Sequence, residues 1–143
     1  MTPKILEVFD EHQNSVYELI CELEETTIPR EIFNMIFITN SHLPTVRYRI
    51  AWMDQKVVGF CSVHIQHLLH HWSLVAEVQE LVVDKAYRGK GIGKHLLNDA
   101  IAFAKQQGCT QIELSTNRKR LDAQRFYERE GWTSSHLKYT FPL

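Results

Sequence analysis

The segment Val82-Val83-Asp84-Lys85-Ala86-Tyr87-Arg88-Gly89-Lys90-Gly91-Ile92-Gly93-Lys94 carries side chains, and gaps between side chains, that could bind an anion. Gly89, Gly91 and Gly93 have no Cβ, so backbone N–H groups there can close on a phosphate. A helix opening at this point would add unpaired donors and a partial positive charge, and Arg88, Lys90 and Lys94 would add full charges. A pyrophosphate suits such a site. Spacing excludes two common phosphate motifs, because a Walker loop needs a Gly-Lys pair where Lys94 follows Gly93 too closely to Gly89, and a dinucleotide fingerprint begun at Gly89 and Gly91 would end on Lys94.

Two further groups could do chemistry. Four of the eight histidines, His64, His67, His70 and His71, lie in one short segment. On an extended strand His67 and His71 would share one face and His64 and His70 the other, so at most two converge unless the chain bends. Polar packing, anion contacts, or a divalent-metal site completed by Glu77 all fit this pattern; polar packing or anion contacts are preferred and no metal ligand is assigned. Arg47 and Arg49 stand on one face of a predicted strand, either as a cationic pocket or as a solvated strand face. Cys21, Cys61 and Cys109 are widely spaced and read as buried or half-buried thiols, with no feature selecting a nucleophile.

These residues must be held by a single domain. The chain has 143 residues, 44% of them hydrophobic and 23% charged, enough to bury a core in one unit spanning residues 1–143. Sixteen basic against seventeen acidic side chains leave a net charge of −1, so no global field draws the protein to nucleic acid. No run approaches the roughly 20 apolar residues of a membrane span, and the first residues lack a secretion signal's apolar stretch; the expected location is the cytoplasm, without membrane partners.

Periodicity then places the elements. Ile5 to Phe9 reads as a strand, and Asn14 or Ser15 can cap a helix with Val16, Leu19, Ile20 and Leu23 on one side. Pro29 opens a second helix carrying Ile32, Phe33, Ile36 and Phe37. From Val46 the period changes to two, with a turn at Asp54-Gln55-Lys56 joining strands at 46–52 and 57–67, and a third strand at 74–83. Residues 91–107 return to helical spacing, with Gly108 as a C-terminal cap. A strand at 112–115, a helix at 119–130 and a closing strand at 132–141 complete the order. This is an α/β chain of the α+β kind, with a mixed, mostly antiparallel sheet flanked by helices.

Arg88-x-x-Gly91-x-Gly93, after a strand and before a helix, resembles the acetyl-CoA signature R/Q-x-x-G-x-G/A of the GNAT N-acetyltransferase family. Asn117, Ala123, Phe126-Tyr127 and Gly131-Trp132 resemble that family's second block, and the element order is similar from end to end. The resemblance implies acetyl-CoA as cosubstrate, held by the backbone of Leu81, Val82 and Val83 along its pantetheine arm. It also implies that amides from Arg88, Gly89, Lys90, Gly91, Ile92, Gly93 and Lys94 hold the pyrophosphate, with Asn117 as a further contact. Arg120 stands where the family often has a second Asn, which puts that pantetheine contact in doubt.

The chemistry implied is direct transfer to an amine, which needs a base for the ammonium and an acid for the departing thiolate. Tyr127 matches the family's acid. Glu77 and Glu80 are the candidate bases, and strict strand alternation would send them to opposite faces. Glu80 shares its predicted row with Ala76, Val78 and Val82, where burial would favour the neutral acid. Glu77 has the spacing from Arg88 found in histone-modifying members and is placed slightly ahead, acting through a water; a bulge in this strand, common in the family, would alter the alternation. Val16 to Leu23, His64-x-Gln66-x-x-Leu69-His70-His71, Glu80 to Val83 and Glu113 to Asn117 are similar to bacterial members that act on aminoalkylphosphonates. A small primary amine is therefore the expected acceptor. A non-catalytic acyl-CoA sensor and a protein or peptide N-acetyltransferase are the alternatives; the sensor would have no use for Glu77 or Tyr127. Arg118-Lys119-Arg120 is too short a cluster for nucleic acid and can serve the 3′-phosphate of CoA. Homodimers are common in the family, but no feature of this sequence establishes one.

Overall fold

Alternating and helical periods settle into a five-stranded sheet in the order β1-β2-β3-β4-β5. The computed structural model describes residues 2–143. Packing divides the chain into one unit ending at Glu113 and a second running Leu114–Leu143.

In the first unit β1 (Lys4–Glu7) leads through a 3₁₀ turn into α1 (Gln13–Glu24), and α2 (Arg30–Ser41) follows Pro29. Proline suits that position because its fixed φ starts a helix and its missing N–H is not needed there. The cap expected at Asn14 or Ser15 lies earlier. His12 precedes the helix, its Nδ1 accepting from the Phe9 N–H at 3.0 Å. Asn14 is left free to tie the helices together, accepting from Arg30 at 2.8 Å.

β2 (Val46–Met53), β3 (Lys56–Leu68) and β4 (Ser73–Val83) form an antiparallel meander beside β1. Asp54 and Gln55, both with positive φ, make the two-residue turn between β2 and β3 that matches the twist of the strands. A second 3₁₀ turn, Leu69–His71, joins β3 to β4. α3 (Ile92–Gln106) then crosses to β5 (Gln111–Leu114), whose entry is fixed where Thr110 N–H donates to the Leu74 carbonyl at 3.0 Å. Since β4 begins at Ser73, β5 can follow it only in the parallel sense.

The two sheet faces bury different partners. Val16 and Leu19 of α1 and Phe37 of α2 pack with Ile50, Val57, Phe60 and Val82 on one face. α3 covers the other, with Ile92, Leu96, Leu97 and Ala100 buried. A Cβ on Gly59 would lie 3.1 Å from Leu96 and 3.2 Å from the Val82 carbonyl, so glycine there lets α3 come close. Full burial of each such aliphatic side chain is worth about 1.5–3 kcal/mol, and trimming Leu96 or Ile50 to alanine would cost about 2–5 kcal/mol.

The second unit holds α4 (Leu121–Arg129). Its start, two residues later than expected, follows an Asx turn in which Asn117 Oδ1 accepts from Lys119 N–H at 2.9 Å. Its end is a Schellman turn: Gly131 takes φ +93°, and Trp132 N–H reaches back to the Tyr127 carbonyl at 2.9 Å. The glycine of Gly131-Trp132 is thus a backbone requirement. No strand forms at 132–141, and Leu137, Tyr139 and Phe141 are exposed. Period-two patterning gives a preference for extended chain, but a strand also needs a ladder partner, and this segment has none among the described residues.

Candidate active site

Glu80 and Glu77 lie on the same side of the sheet, because β4 does not keep strict alternation. Ser62 pairs with Glu80 but Val63 pairs with Val78, so Gln79 is the extra residue of a β-bulge. The next partner of Glu77 is His64, which shares its face with Ser62. The bulge that would alter the alternation is present, so the expectation that Glu77 and Glu80 lie on opposite faces does not hold. Ala76 and Val78, opposite Ile65 and Val63, are turned to the other side; of the predicted apolar row, Glu80 keeps only Val82.

The face bearing Glu80 opens into a cavity of about 350 Å³. Its apolar wall comes from α1 and α2, including Ile20, Ile32, Phe33 and Ile36, and its polar side from Asn40, Tyr48, His64, Gln79 and Glu80. Tyr48, Ser62 and Glu80 sit directly opposite one another on β2, β3 and β4, forming one polar row across three strands. Ser62 donates to Glu80 Oε1, and the Glu80 N–H donates back to Ser62 Oγ at 3.0 Å. Burial raises the Tyr48 phenol above its ordinary pKa; its hydrogen bond with Asn40 pulls the other way, and the charge of Glu80 adds to the rise. Gln79 donates to Glu77 at 2.7 Å.

The glycine-rich segment takes the conformation its sequence implies. Gly89 and Gly91 have φ +76° and +79°, and Gly91 is the residue from which α3 starts. A side chain at either would strain the backbone. Gly93 and Lys94 lie in the first helical turn, where amides have no partner within the helix. Before it, Asp84 accepts from Ala86 N–H at 2.9 Å, and Tyr87 is fixed by donating to Asp54 at 2.9 Å, with Lys56 and Lys90 over its ring. Arg88 folds back: its Nε donates to the Val83 carbonyl at 3.1 Å and its Nη2 meets Glu22 of α1 at 3.4 Å. Its guanidinium therefore secures the loop to the end of β4.

Leu81, Val82 and Val83 pair with β3 through Cys61, Phe60 and Gly59. β5, which begins beside Leu74, has only four residues and stops short of them. The outer edge of this end of β4 is therefore not used by β5, and it leads into the helix N-terminus after Gly91. An extended ligand with amides at one end and a pyrophosphate at the other matches that chemistry. In the second unit, Tyr127 on α4 lies against Phe126 at 5.3 Å and Trp132 at 6.1 Å, and Asn117 holds the turn before the helix.

Arg47 and Arg49 form neither a pocket for an acceptor nor a solvated face. They alternate with Tyr48 and so point to the side of α3, where both pair with Asp99, at 3.5 Å and 3.2 Å, and Arg47 lies over Phe103. Asp99 was not legible as a partner, although two arginines on a strand covered by a helix demand an acid, and α3 offers only this one within its apolar stripe. The histidines separate as β3 ends: His64 lines the cavity, whereas His70 and His71 meet at the turn with their rings tilted by 52°, and His71 lies 4.0 Å from Glu113. Among the described residues no three His, Cys, Asp or Glu side chains gather as metal ligands. Ser62, Tyr48 and Asn40 were also missed; Ser62 had one signal, a lone hydroxyl in the apolar run Val57–Val63.

The model of the acetyltransferase (GNAT) family matches residues 8–132. The chain belongs to that family. This GNAT protein is 46% identical over 133 residues to the aminoalkylphosphonate N-acetyltransferase of Salmonella typhimurium, covering 93% of this chain and 86% of the relative. It is 33% identical to the glucosamine 6-phosphate N-acetyltransferase of Trypanosoma brucei brucei over 62% of this chain and 58% of the relative. Among solved structures, a transcriptional regulator from Bacillus halodurans superposes with a TM-score of 0.90 at 24% identity, over 99% of both chains. An aminoglycoside N-acetyltransferase in complex with CoA superposes with a TM-score of 0.89 at 17% identity, over 99% of this chain and 94% of the other. These structural likenesses establish the fold. As a GNAT N-acetyltransferase the protein transfers acetyl from acetyl-CoA to an amine. No helix among the described residues is long and apolar enough to cross a membrane.

Proposed function

We propose that the acceptor is a small primary amine of the aminoalkylphosphonate class, and that residues 1–143 act as one catalytic domain in the cytoplasm. The observation that carries this is Glu80, turned by the β4 bulge to the face that lines a cavity of about 350 Å³. That volume suits a small amine better than a polypeptide. The 46% identity to an aminoalkylphosphonate N-acetyltransferase supports the phosphonate. Among the described residues no arginine or lysine lines the cavity, so the acceptor's anionic group would be met by neutral donors, Tyr48, Asn40 and Gln79, together with His64. The free thiols Cys21, Cys61 and Cys109 suit a reducing compartment.

Bound acetyl-CoA supplies an activated acetyl thioester. Leu81, Val82 and Val83 offer it a strand edge, and the amides from Arg88 to Lys94, with the α3 N-terminus, take its pyrophosphate. Glu80 removes a proton from the acceptor ammonium, freeing the nitrogen lone pair that forms the new N–C bond as the C–S bond breaks; the proton then in excess on that nitrogen is released to solvent, from which the Tyr127 phenolate regains its own. Tyr127 keeps the role the family resemblance implies, giving its proton to the departing sulfur; Asn117 stays a candidate CoA contact. Glu77 is a second candidate base, favoured by its position on the same face opposite His64.

Thiol release from acetyl-CoA, measured against 2-aminoethylphosphonate, aminomethylphosphonate, polyamines, amino sugars and a lysine peptide, tests the reading. Selective turnover of the phosphonates is expected. Preference for the peptide would overturn the acceptor assignment, and CoA binding without turnover on any amine would point to a sensor.

A further inference from the structure

Ser62 has no exposed surface, yet it carries the only hydroxyl in the run Val57–Val63 of β3. A buried hydroxyl is retained at a cost unless its hydrogen bonds are made. Here both partners belong to one residue: the Glu80 N–H donates to Ser62 Oγ at 3.0 Å, and Ser62 donates to Glu80 Oε1. The first bond occupies a lone pair on Oγ and so fixes the direction of its proton. That proton points at the carboxylate.

We infer that Ser62 is a positioning residue for the acetyl transfer, locking the Glu80 carboxylate toward the cavity. The inference rests on the reading of Glu80 as base. The geometry depends on the bulge at Gln79, which puts Ser62 opposite Glu80 while Val63 is opposite Val78. It frees the Glu80 N–H for a side chain instead of the usual ladder. Tyr48, opposite Ser62 on β2, closes the other side of the row, so the carboxylate is bounded by hydroxyls and by the cavity. A hydroxyl donor to a carboxylate is a strong, charge-assisted bond, and such a bond weakens when a carboxyl group takes up a proton.

The test uses the full chain with acetyl-CoA and 2-aminoethylphosphonate. For Ser62→Ala we expect kcat/KM to fall about 10-fold and its acidic limb to move up by about one pH unit, with the KM for acetyl-CoA unchanged. Ser62→Thr, which keeps the hydroxyl, restores the position of the limb. In a Glu80→Gln background Ser62→Ala should add nothing, because its effect passes through the missing carboxylate. A limb that stays in place, or a loss that adds in full to Glu80→Gln, overturns the role of Ser62. If Glu80→Gln itself leaves the limb intact, the base reading fails instead. Should Ser62→Ala not fold, Ser62→Cys, close in size and a weaker donor, carries the same measurement.

Discussion

The two faces of the sheet handle charge in opposite ways. Beneath α3, Arg47 and Arg49 share Asp99, so cations and anion answer one another and the space is filled by Phe103 and its apolar neighbours. Beneath α1 and α2, Glu80 accepts from the Ser62 hydroxyl, and beside it is open volume. A closed ion pair has done all it can do once the chain is folded. A carboxylate bounded by neutral donors and a cavity can still exchange a proton with whatever enters. Charge balance thus separates residues that hold the fold from the carboxylate proposed to do chemistry, within a single three-strand span of β2 to β4.

Removing the charge on each face should break this contrast in different observables. Glu80→Gln keeps shape and hydrogen bonding capacity but not basicity, and should lower kcat/KM by about 1000-fold with the melting temperature nearly unchanged. A stable variant with wild-type turnover would leave the cavity without its base. Asp99→Ala should do the reverse. It leaves two half-buried arginines facing each other, costing about 2–3 kcal/mol measured by denaturant unfolding, while turnover of the folded fraction stays within about twofold. A catalytic defect without loss of stability would merge the two faces functionally.

Much of this was readable from residue order. Helical spacing in Val16 to Leu23 and in Ile92 to Ala104, and alternation from Val46, mark elements whose local preference agrees with their burial. Gly89 and Gly91 mark the turn into α3 because only a missing Cβ takes that backbone without strain. What was hidden depends on pairing across the sheet. Alternation counted along β4 puts Glu77 and Glu80 on opposite faces; one unpaired residue, Gln79, reverses that, and nothing in Gln79 itself announces a bulge. Arg47 and Arg49 looked solvated because their partner lies on another element, 50 and 52 residues away for the pairs with Asp99. The segment 132–141 erred the other way, since its pattern promised a strand and no neighbouring strand takes it up.

A third substitution tests Tyr127 as the acid. Tyr127→Phe, on α4 of the second unit, should lower kcat by about 10- to 100-fold with little change in the KM for acetyl-CoA. Unchanged turnover would remove the phenol from the mechanism and leave solvent to protonate the thiolate.

The smallest effect sharpens the picture of the closed face. Cys61, buried on β3, has its thiol pushed up to about 12, by burial first and then by the charges of Asp99 and Glu80. In the unfolded chain it would titrate near the ordinary value of about 8.5. The folded state therefore holds a proton that the unfolded state loses, and the associated stability, complete below the unfolded value, declines as pH rises from about 9 toward 12. Cys61→Ala should flatten that decline relative to wild type. At pH 8 a thiol reagent should modify the half-buried Cys21 and Cys109 before Cys61, whose labelling should wait for unfolding. Early labelling of Cys61 in native protein would mean that the face under α3 opens more readily than its paired charges and tight packing imply.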